Sequence, residues 1–385
     1  MRMRQKVAAV SIALFLALTL LGLIWLVRTT LALASAFPDQ PIDIPLSPLP
    51  SGLNSLMPVP TDNPLTVGKI ELGRKLFFDK RLSRDGTVSC ASCHQPDKAF
   101  SDGRALPIGI GGQKGRRNAP SLINAAYGES MFWDGRAATL EEQALHPLTS
   151  PIEMGNTLEA VLRRVHNETN YRRLALAAFG TAQMAPKQIA QALSSFQRTL
   201  VAGNSPYDRY FVLKDESVIR VAARRGLVLF RGKARCAHCH EGPLFTDQKF
   251  HNTGVSWGRE PLDLGRFEVT RSQEDKGKFK TPTLRHLTDT APYMHDGTLK
   301  SLEEVIDFYN RGAQANPNLD SSIKPLSLSP EEKSDLATFL RTLSARATNA
   351  NERLDTTAPA PTRPGSSASS CANSALAHNL VFPAF

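Results

Sequence analysis

Two short motifs of cysteine and histidine are the parts of this 385-residue sequence best suited to chemistry. They read CASCH at residues 90–94 and CAHCH at residues 236–240, and together they hold four of the five cysteines. At this spacing, two thiols add to the vinyl groups of a haem and the following histidine binds its iron. The motifs therefore predict two covalent haem c groups, with thioether anchors and proximal ligands at Cys90, Cys93, His94, Cys236, Cys239 and His240.

Disulfides and zinc sites also use paired cysteines. Neither explains why a histidine directly follows both pairs in a chain that carries an export segment, so haem attachment is favoured.

A six-coordinate haem iron mainly passes electrons, whereas an open iron can bind and cleave peroxide. The residues on the far side of each haem therefore decide the function.

The surroundings of the two motifs are alike. LFF at 76–78 precedes the first motif and FSD at 100–102 follows it, while LF at 229–230 and FTD at 245–247 flank the second. Two copies of one pattern predict two domains of the same kind, each built around its own cofactor. We expect cytochrome c-like domains at 65–203 and 204–345.

Helical patterns dominate between and after these motifs, and strand alternation is scarce. Apolar residues recur on one helical face from Leu158 to Val165, and Pro186 opens a second amphipathic run. SPEE at 329–332 is a capping box, and another helix is expected from Ser301 to Arg311. The predicted fold is mainly α, with two haem domains in tandem.

The N-terminus predicts export. Three basic residues precede an uncharged run at 7–27, which is long enough to span a bilayer, and the small residues at 34–36 offer a cleavage site. Residues 1–36 are therefore a signal anchor or a cleaved signal peptide, with the anchor favoured. The positive-inside bias sends the rest of the chain to the periplasm or cell envelope.

The flanking segments and the charge carry less information. The Pro- and Ser-rich segment 37–64 is typical of a linker, and 346–385 is typical of a disordered tail in which Cys371 is incidental.

The net charge of +10 includes four basic residues around the apolar run, so the exported part is only mildly basic. This mild positive charge does not require a nucleic-acid partner. It fits either an acidic electron-transfer partner or an ordinary solvent-exposed surface of mixed charge.

From about residue 65 to 345, the sequence resembles the bacterial di-haem cytochrome c peroxidases and their MauG-like relatives. The resemblance rests on specific stretches of sequence. They are LGRKLFFD at 72–79, RNAPSL at 117–122, FWDGR at 132–136, TPTLR at 281–285 and PYMHDG at 292–297.

The resemblance implies a peroxide site at the N-terminal haem. The family's distal glutamate and upstream glutamine match Glu153 and Gln143, and its tryptophan relay between the haems matches Trp133. A carboxylate can take the proton from bound peroxide and return one to the departing oxygen. Without the resemblance, Glu153 would be interpreted as a solvated carboxylate and Trp133 as a core aromatic.

The resemblance also implies a calcium ion between the haems. Its ligands would be the Asn118 side chain and the backbone oxygens of Thr290 and Pro292. Oxygen ligands of this kind suit a hard cation.

The sequence departs from the standard peroxidases at both distal positions. Their distal histidine is missing, because no histidine occurs between Gln95 and Leu145, so we expect the first haem to be open even when oxidised. Their methionine ligand to the second haem is replaced by Tyr309, the MauG-like pattern, and a phenolate would lower that haem's potential. Alternatively, Tyr309 packs in the core and Met294 or His295 is the ligand.

Three functions follow, of which a peroxidase is preferred. It would reduce hydrogen peroxide to water with electrons from a small c-type cytochrome or similar donor, delivered through the second haem. A MauG-like oxidase would instead store two oxidising equivalents over both haems and oxidise residues of a partner protein. A plain electron-transfer protein ranks last, because it has no use for Glu153 and Gln143.

Overall fold

The computed structural model describes residues 19–23, 25, 50–53 and 57–345, of which 19–23 and 25 are helical. Within these ranges no helix has both the length and the apolar character needed to cross a bilayer. Most of the predicted apolar segment 7–27 and all of the tail 346–385 lie outside the described residues. The anchor and the tail therefore stay sequence predictions.

The described chain is mainly helical, as the apolar periodicity predicted. Its two short strands, β1 (Phe250–His251) and β2 (Phe279–Lys280), pair antiparallel with Phe250 opposite Lys280. The helices are α1 (Val67–Phe78), α2 (Cys90–Cys93), α3 (Leu140–Thr149), α4 (Leu158–Asn167), α5 (Thr169–Phe179), α6 (Pro186–Arg198), α7 (Pro206–Leu213), α8 (Val221–Arg231), α9 (Phe267–Thr270), α10 (Leu302–Asn310) and α11 (Pro330–Arg341).

The predicted helix starts are confirmed by their capping geometry. α6 begins at Pro186, and α10 begins after Ser301, whose hydroxyl accepts the Glu304 N–H at 3.1 Å. At α11, Ser329 accepts the Glu332 N–H at 3.2 Å, while the Glu332 carboxylate accepts the Ser329 N–H at 2.7 Å. This reciprocal pair satisfies two N–H groups that a helix start otherwise leaves unbonded.

The apolar core has two large parts. One is built from buried side chains between Leu72 and Leu200, and the other from buried side chains between Tyr207 and Leu343. The gap between them falls where Gly, Asn, Ser and Pro cluster in the sequence. Residues 57–345 nevertheless pack as one compact unit, so the division into two haem domains stays a prediction.

The same helix crossing occurs in each part of the core. α1 crosses α6 at Gly73, where a Cβ atom would lie 1.9 Å from the Ala192 carbonyl oxygen. α8 crosses α11 at Gly226, where a Cβ atom would lie 2.1 Å from the Asp335 carbonyl oxygen. Only glycine allows backbones to approach this closely. The sequence repeat is therefore also a repeat of packing.

Packing begins earlier in the chain than the composition of residues 37–64 indicates. Ser51 exchanges hydrogen bonds with Asn204, and its N–H lies 2.7 Å from the amide oxygen. Asn63 is fully buried, and its amide donates to the Glu141 carboxylate and the Gln191 carbonyl. These partners lie 78 to 153 residues away, so a local composition pattern does not reveal them.

A buried ion pair fastens this leading segment to the second half. The Arg285 guanidinium makes two bonds, of 2.8 and 2.9 Å, to Asp208, and the two side chains are only 2% and 1% exposed. Arg285 also donates to the carbonyls of Gly52 and Pro243. One buried side chain therefore joins three segments of the chain.

Replacing Arg285 by methionine is expected to lower the free energy of unfolding by about 3–5 kcal/mol, because Asp208 would be left buried without its counter-ion. Urea denaturation followed by circular dichroism measures the change. The control is Lys187→Met, which breaks an ion pair with Asp62 whose side chains are 68% and 67% exposed. That change should cost less than about 1 kcal/mol, and equal losses in both variants would contradict the assignment.

Candidate active site

Both cysteine-histidine motifs open onto one large, mainly apolar cavity of about 750 Å³. This volume lies within the range of cofactor pockets, roughly 300–1,000 Å³. Every residue predicted for the site lines this cavity. They are Cys90, Cys93, His94, Asn118, Trp133, Gln143, Glu153, Cys236, Cys239, His240, Thr290, Pro292, Met294 and Tyr309.

The two motif histidines are held in the same way. His94 Nδ1 lies 2.9 Å from the Phe100 carbonyl oxygen, and His240 Nδ1 lies 2.9 Å from the Phe245 carbonyl oxygen. Such a bond places the ring proton on Nδ1 and leaves the Nε2 lone pair for a metal. Burial lowers the pKa of both imidazoles, which favours the neutral form that binds iron.

The loops that carry these carbonyls are fastened by matching hydroxyls. Ser121 donates to the Ala99 carbonyl at 2.5 Å, and Thr283 donates to the Leu244 carbonyl at 2.6 Å. Ala99 and Leu244 each directly precede the phenylalanine whose carbonyl holds a histidine. The sequence analysis missed these supports, although both hydroxyls follow a proline in stretches that it singled out.

A zinc site fits the second motif only in part. Cys239, Asp247 and His251 offer ligand atoms within 4.8 Å of one another, but the first motif has no such group among the described residues. The His251 ring is also held between two carboxylates, at 2.9 Å from Asp247 and 2.6 Å from Asp320. Among the described residues the four motif cysteines form no disulfide and line one mainly apolar cavity, an arrangement that suits attachment to haem.

Glu153 contributes a carboxylate to the cavity beside the first motif. Burial raises the pKa of this carboxyl above its ordinary value, and the charge of Arg136 opposes the rise in part. Gln143 reaches the same cavity from α3, which Thr139 caps by accepting the Glu142 N–H at 3.1 Å. A carboxyl and an amide therefore line the same cavity as His94.

Tyr309 lies in the cavity wall beside the second motif. Burial and the nearby thiols of Cys236 and Cys239 raise its pKa. The phenol would therefore ionise only beside a strong positive charge, which a ferric iron supplies.

The internal repeat offers a way to compare the two distal sides. Each half has a turn closed by a single antiparallel bridge, Met131 with Ala137 and Tyr293 with Leu299. A helix follows each turn, capped by Thr139 in the first half and by Ser301 in the second. α3 and α10 are thus equivalent elements in the same register.

Counting from these caps, Pro147 and Tyr309 occupy the same helix position, eight residues after Thr139 and Ser301. Both side chains line the cavity. The proline side chain has no atom that can bind iron, whereas the tyrosine side chain has a phenol oxygen that can. Pro147 belongs to no motif of its own, and counting from the two caps is what identifies it.

The alternative ligands differ in their surroundings. Met294 lines the cavity. His295 Nε2 lies 3.0 Å from the Ser256 hydroxyl, and its ring stacks on Phe279 with the centroids 3.5 Å apart. Its Nε2 atom is therefore already hydrogen-bonded, and its ring is held by its neighbours. Among the alternatives, Met294 is therefore the better competitor of Tyr309.

Trp133 lies where the two halves meet. Its indole N–H donates to the Asn118 carbonyl at 2.9 Å, and its carbonyl accepts the Lys280 N–H at 2.8 Å. Its ring meets the His295 ring edge to face at 6.5 Å. The Asn118 amide nitrogen donates to the Arg104 carbonyl at 2.7 Å, so the amide oxygen is the atom left for a cation.

Comparison with known proteins identifies the family. A family model described as di-haem cytochrome c peroxidase matches residues 68–217. The methylamine utilization protein MauG of Methylorubrum extorquens is 44% identical over 290 residues, which cover 75% of this chain and 82% of that protein. The chain belongs to the di-haem cytochrome c peroxidase family.

Other members of the di-haem cytochrome c peroxidase family extend the likeness. Cytochrome-c peroxidase IdrP1 of Pseudomonas sp. strain SCT is 37% identical over 330 residues, covering 78% of this chain and 86% of that protein. The crystal structure of a MauG-like protein associated with microbial copper homeostasis has a TM-score of 0.71 at 36% identity, covering 82% of this chain and 98% of that chain. The predicted di-haem peroxidase fold and haem c cofactors are confirmed at the level of the family.

Proposed function

We propose that this protein is a di-haem c-type peroxidase that reduces hydrogen peroxide to water beside His94. The observation that supports this most directly is that one cavity joins both haem motifs and that the half-buried Glu153 carboxyl lines it near the first motif. Electrons enter beside His240 from a c-type cytochrome or a similar small donor. Each peroxide takes up two electrons and two protons and yields two waters.

The chain's own groups divide the work. When bound, the haems supply the iron that binds peroxide and the path for its electrons. Ionised Glu153 accepts the proton of the bound peroxide and then donates it to the departing oxygen. Gln143 offers an amide to orient the peroxide, and Trp133 lies on the route between the two motifs.

The rate of the peroxide reaction is expected to fall as the pH falls through the pKa of Glu153. Because burial raises that pKa, the midpoint of this acidic limb should lie above the ordinary glutamate value. Stopped-flow measurement of the reaction between about pH 4 and 8 tests this expectation. Glu153→Gln should abolish the limb, and a limb that persists in that variant would assign the titration to another group.

The proposed activity is tested by adding peroxide to the full, haem-loaded chain with a reduced c-type cytochrome. We expect two cytochromes to be oxidised for each peroxide consumed. Peroxide consumption without cytochrome oxidation, accompanied by oxidised side chains on a supplied partner protein, would favour the second candidate. That candidate is the MauG-like oxidase, which the missing distal histidine and Tyr309 favour.

The remaining expectations complete the proposal. Residues 65–203 and 204–345 each form one haem domain, and the chain is exported to the periplasm or cell envelope by residues 1–36. Calcium binds through the Asn118 side chain and the carbonyls of Thr290 and Pro292, which line one cavity. A purified protein without calcium, as measured by atomic emission, would contradict the last point.

A further inference from the structure

The loop at residues 107–113, which lacks the family's distal histidine, packs directly against the segment that carries Glu153. The Ile110 N–H donates to the Glu153 carbonyl at 2.8 Å, and the Gln113 amide donates to the Pro151 carbonyl at 3.2 Å. The loop is also closed on itself, because the Gly109 N–H donates to the Gln113 carbonyl at 2.8 Å. The loop is therefore closed by its own hydrogen bond and makes two further hydrogen bonds to residues 151–153, here called the glutamate segment.

Gly109 permits this contact. Its φ of −99° is open to any residue, so the backbone conformation does not require glycine. A Cβ atom at this position would lie 2.0 Å from the Ile152 carbonyl oxygen and 2.9 Å from the Glu153 Cα. Glycine is required here because two backbone segments touch, and one of them bears the proposed acid-base carboxylate.

The opposite side of the glutamate segment is held as well. The Glu153 N–H donates to the Ser150 carbonyl at 3.1 Å, and the Met154 N–H donates to the Pro147 carbonyl at 3.1 Å. Met154 is buried in the first apolar core. Both backbone groups of Glu153 are therefore bonded, which leaves its side chain as the part that can act in the cavity.

We propose that Gly109 and the Ile110 N–H are positioning groups that hold Glu153 over the peroxide site. The inference rests on the proposed function, since it assigns these groups a role in the proton transfer by Glu153. The loop that lacks the family's distal histidine serves in this chain as a fixed support.

The expected effect follows from the contact distance. A methyl group at Gly109 must move the Ile152 carbonyl by about 1 Å, because Cβ atoms essentially never approach within 3.0 Å of another atom. A displacement of about 1 Å at a reacting group can cost about 100-fold in rate. Gly109→Ala should therefore slow the reaction with peroxide by about 100-fold.

A double-mutant cycle on the haem-loaded chain tests the proposal. Stopped-flow rates with hydrogen peroxide are measured for Gly109→Ala, Glu153→Gln and the double variant. We expect both single variants to be slow and the double variant to be no slower than Glu153→Gln, since both changes remove one function. The absorption spectrum of the oxidised protein should be unchanged, which separates displacement of Glu153 from general damage.

Each other outcome overturns a defined statement. A fast Gly109→Ala beside a slow Glu153→Gln contradicts the positioning role and leaves the proposed function intact. A fast Glu153→Gln contradicts the role of Glu153 itself. If the fold-losses in rate of the two single variants multiply in the double variant, Gly109 acts independently of Glu153.

A second pair of variants keeps the test decisive if Gly109→Ala does not fold. Ile110→Pro removes the N–H that binds Glu153, and Ile110→Ala keeps it while also losing the side chain. Ile110 is the first residue of its turn and follows an extended residue, a position that proline tolerates. Ile110→Pro should react roughly 10-fold more slowly than Ile110→Ala, and equal rates would contradict the proposal.

Discussion

Replacement of Tyr309 by methionine is expected to raise the midpoint potential of the haem held by His240 by roughly 0.1–0.5 V. Axial ligands set haem potentials over about 0.8 V, and an anionic phenolate stabilises ferric iron where a neutral thioether favours ferrous iron. Tyr309 lines the cavity beside Cys236 and Cys239, at the helix position that Pro147 occupies in the first half. Spectroelectrochemical titration of the haem-loaded protein measures the shift.

The matched control is Tyr293→Phe. Tyr293 lines the same cavity, but its hydroxyl already donates to the Leu287 carbonyl at 3.0 Å, so its loss should leave both potentials unchanged. If Tyr309→Met and Tyr309→Phe also left the potentials unchanged, Tyr309 would not be the ligand. Met294→Leu would then be expected to change the potential of the second haem.

Replacement of Glu153 by glutamine is expected to slow the reaction with peroxide by about 10²- to 10⁴-fold, the usual contribution of a positioned general acid-base group. Glutamine keeps the shape of the side chain and removes its ability to exchange a proton. Because the change is close to isosteric, the oxidised absorption spectrum should stay the same. Single-turnover stopped-flow measurement with stoichiometric peroxide isolates this step from electron delivery.

Glu142→Gln is the control for this prediction. Glu142 directly precedes Gln143 on α3, and its carboxylate accepts the Ala138 N–H at 2.7 Å, a bond that glutamine can also accept. The variant removes one carboxylate from the same helix and should react as fast as the parent protein. A loss of less than 10-fold in Glu153→Gln would show that another group moves the proton.

Local chemistry was predictable from the sequence wherever the determining residues are close together in the chain. The haem attachment sites need five consecutive residues, and the helix starts at Ser301 and Ser329 need four, so each pattern contains its own explanation. The internal repeat could be predicted for the same reason, because similar short stretches of sequence flank both cysteine-histidine motifs. The motifs identify the two histidines, but the hydroxyls of Ser121 and Thr283 that fasten the loops holding their rings were not predicted.

The surroundings of Glu153 could not be predicted in this way. Taken alone, the residue was interpreted as a solvated carboxylate, and only the family resemblance made it a candidate. The backbone segment that carries it packs against Gly109, which lies 44 residues earlier and whose own φ does not require glycine. The buried Asn63 is a similar case, since its partners are distant in sequence.

We expect the first iron to be open in the oxidised protein and Tyr309 to ligate the second. Electron paramagnetic resonance and absorption spectra of the oxidised protein, before and after one equivalent of hydrogen peroxide, test this expectation most directly. We expect one high-spin and one low-spin ferric haem, and an immediate change at both haems without prior reduction. Two low-spin haems that stay inert until one is reduced would contradict it and would indicate a conventional, reductively activated peroxidase.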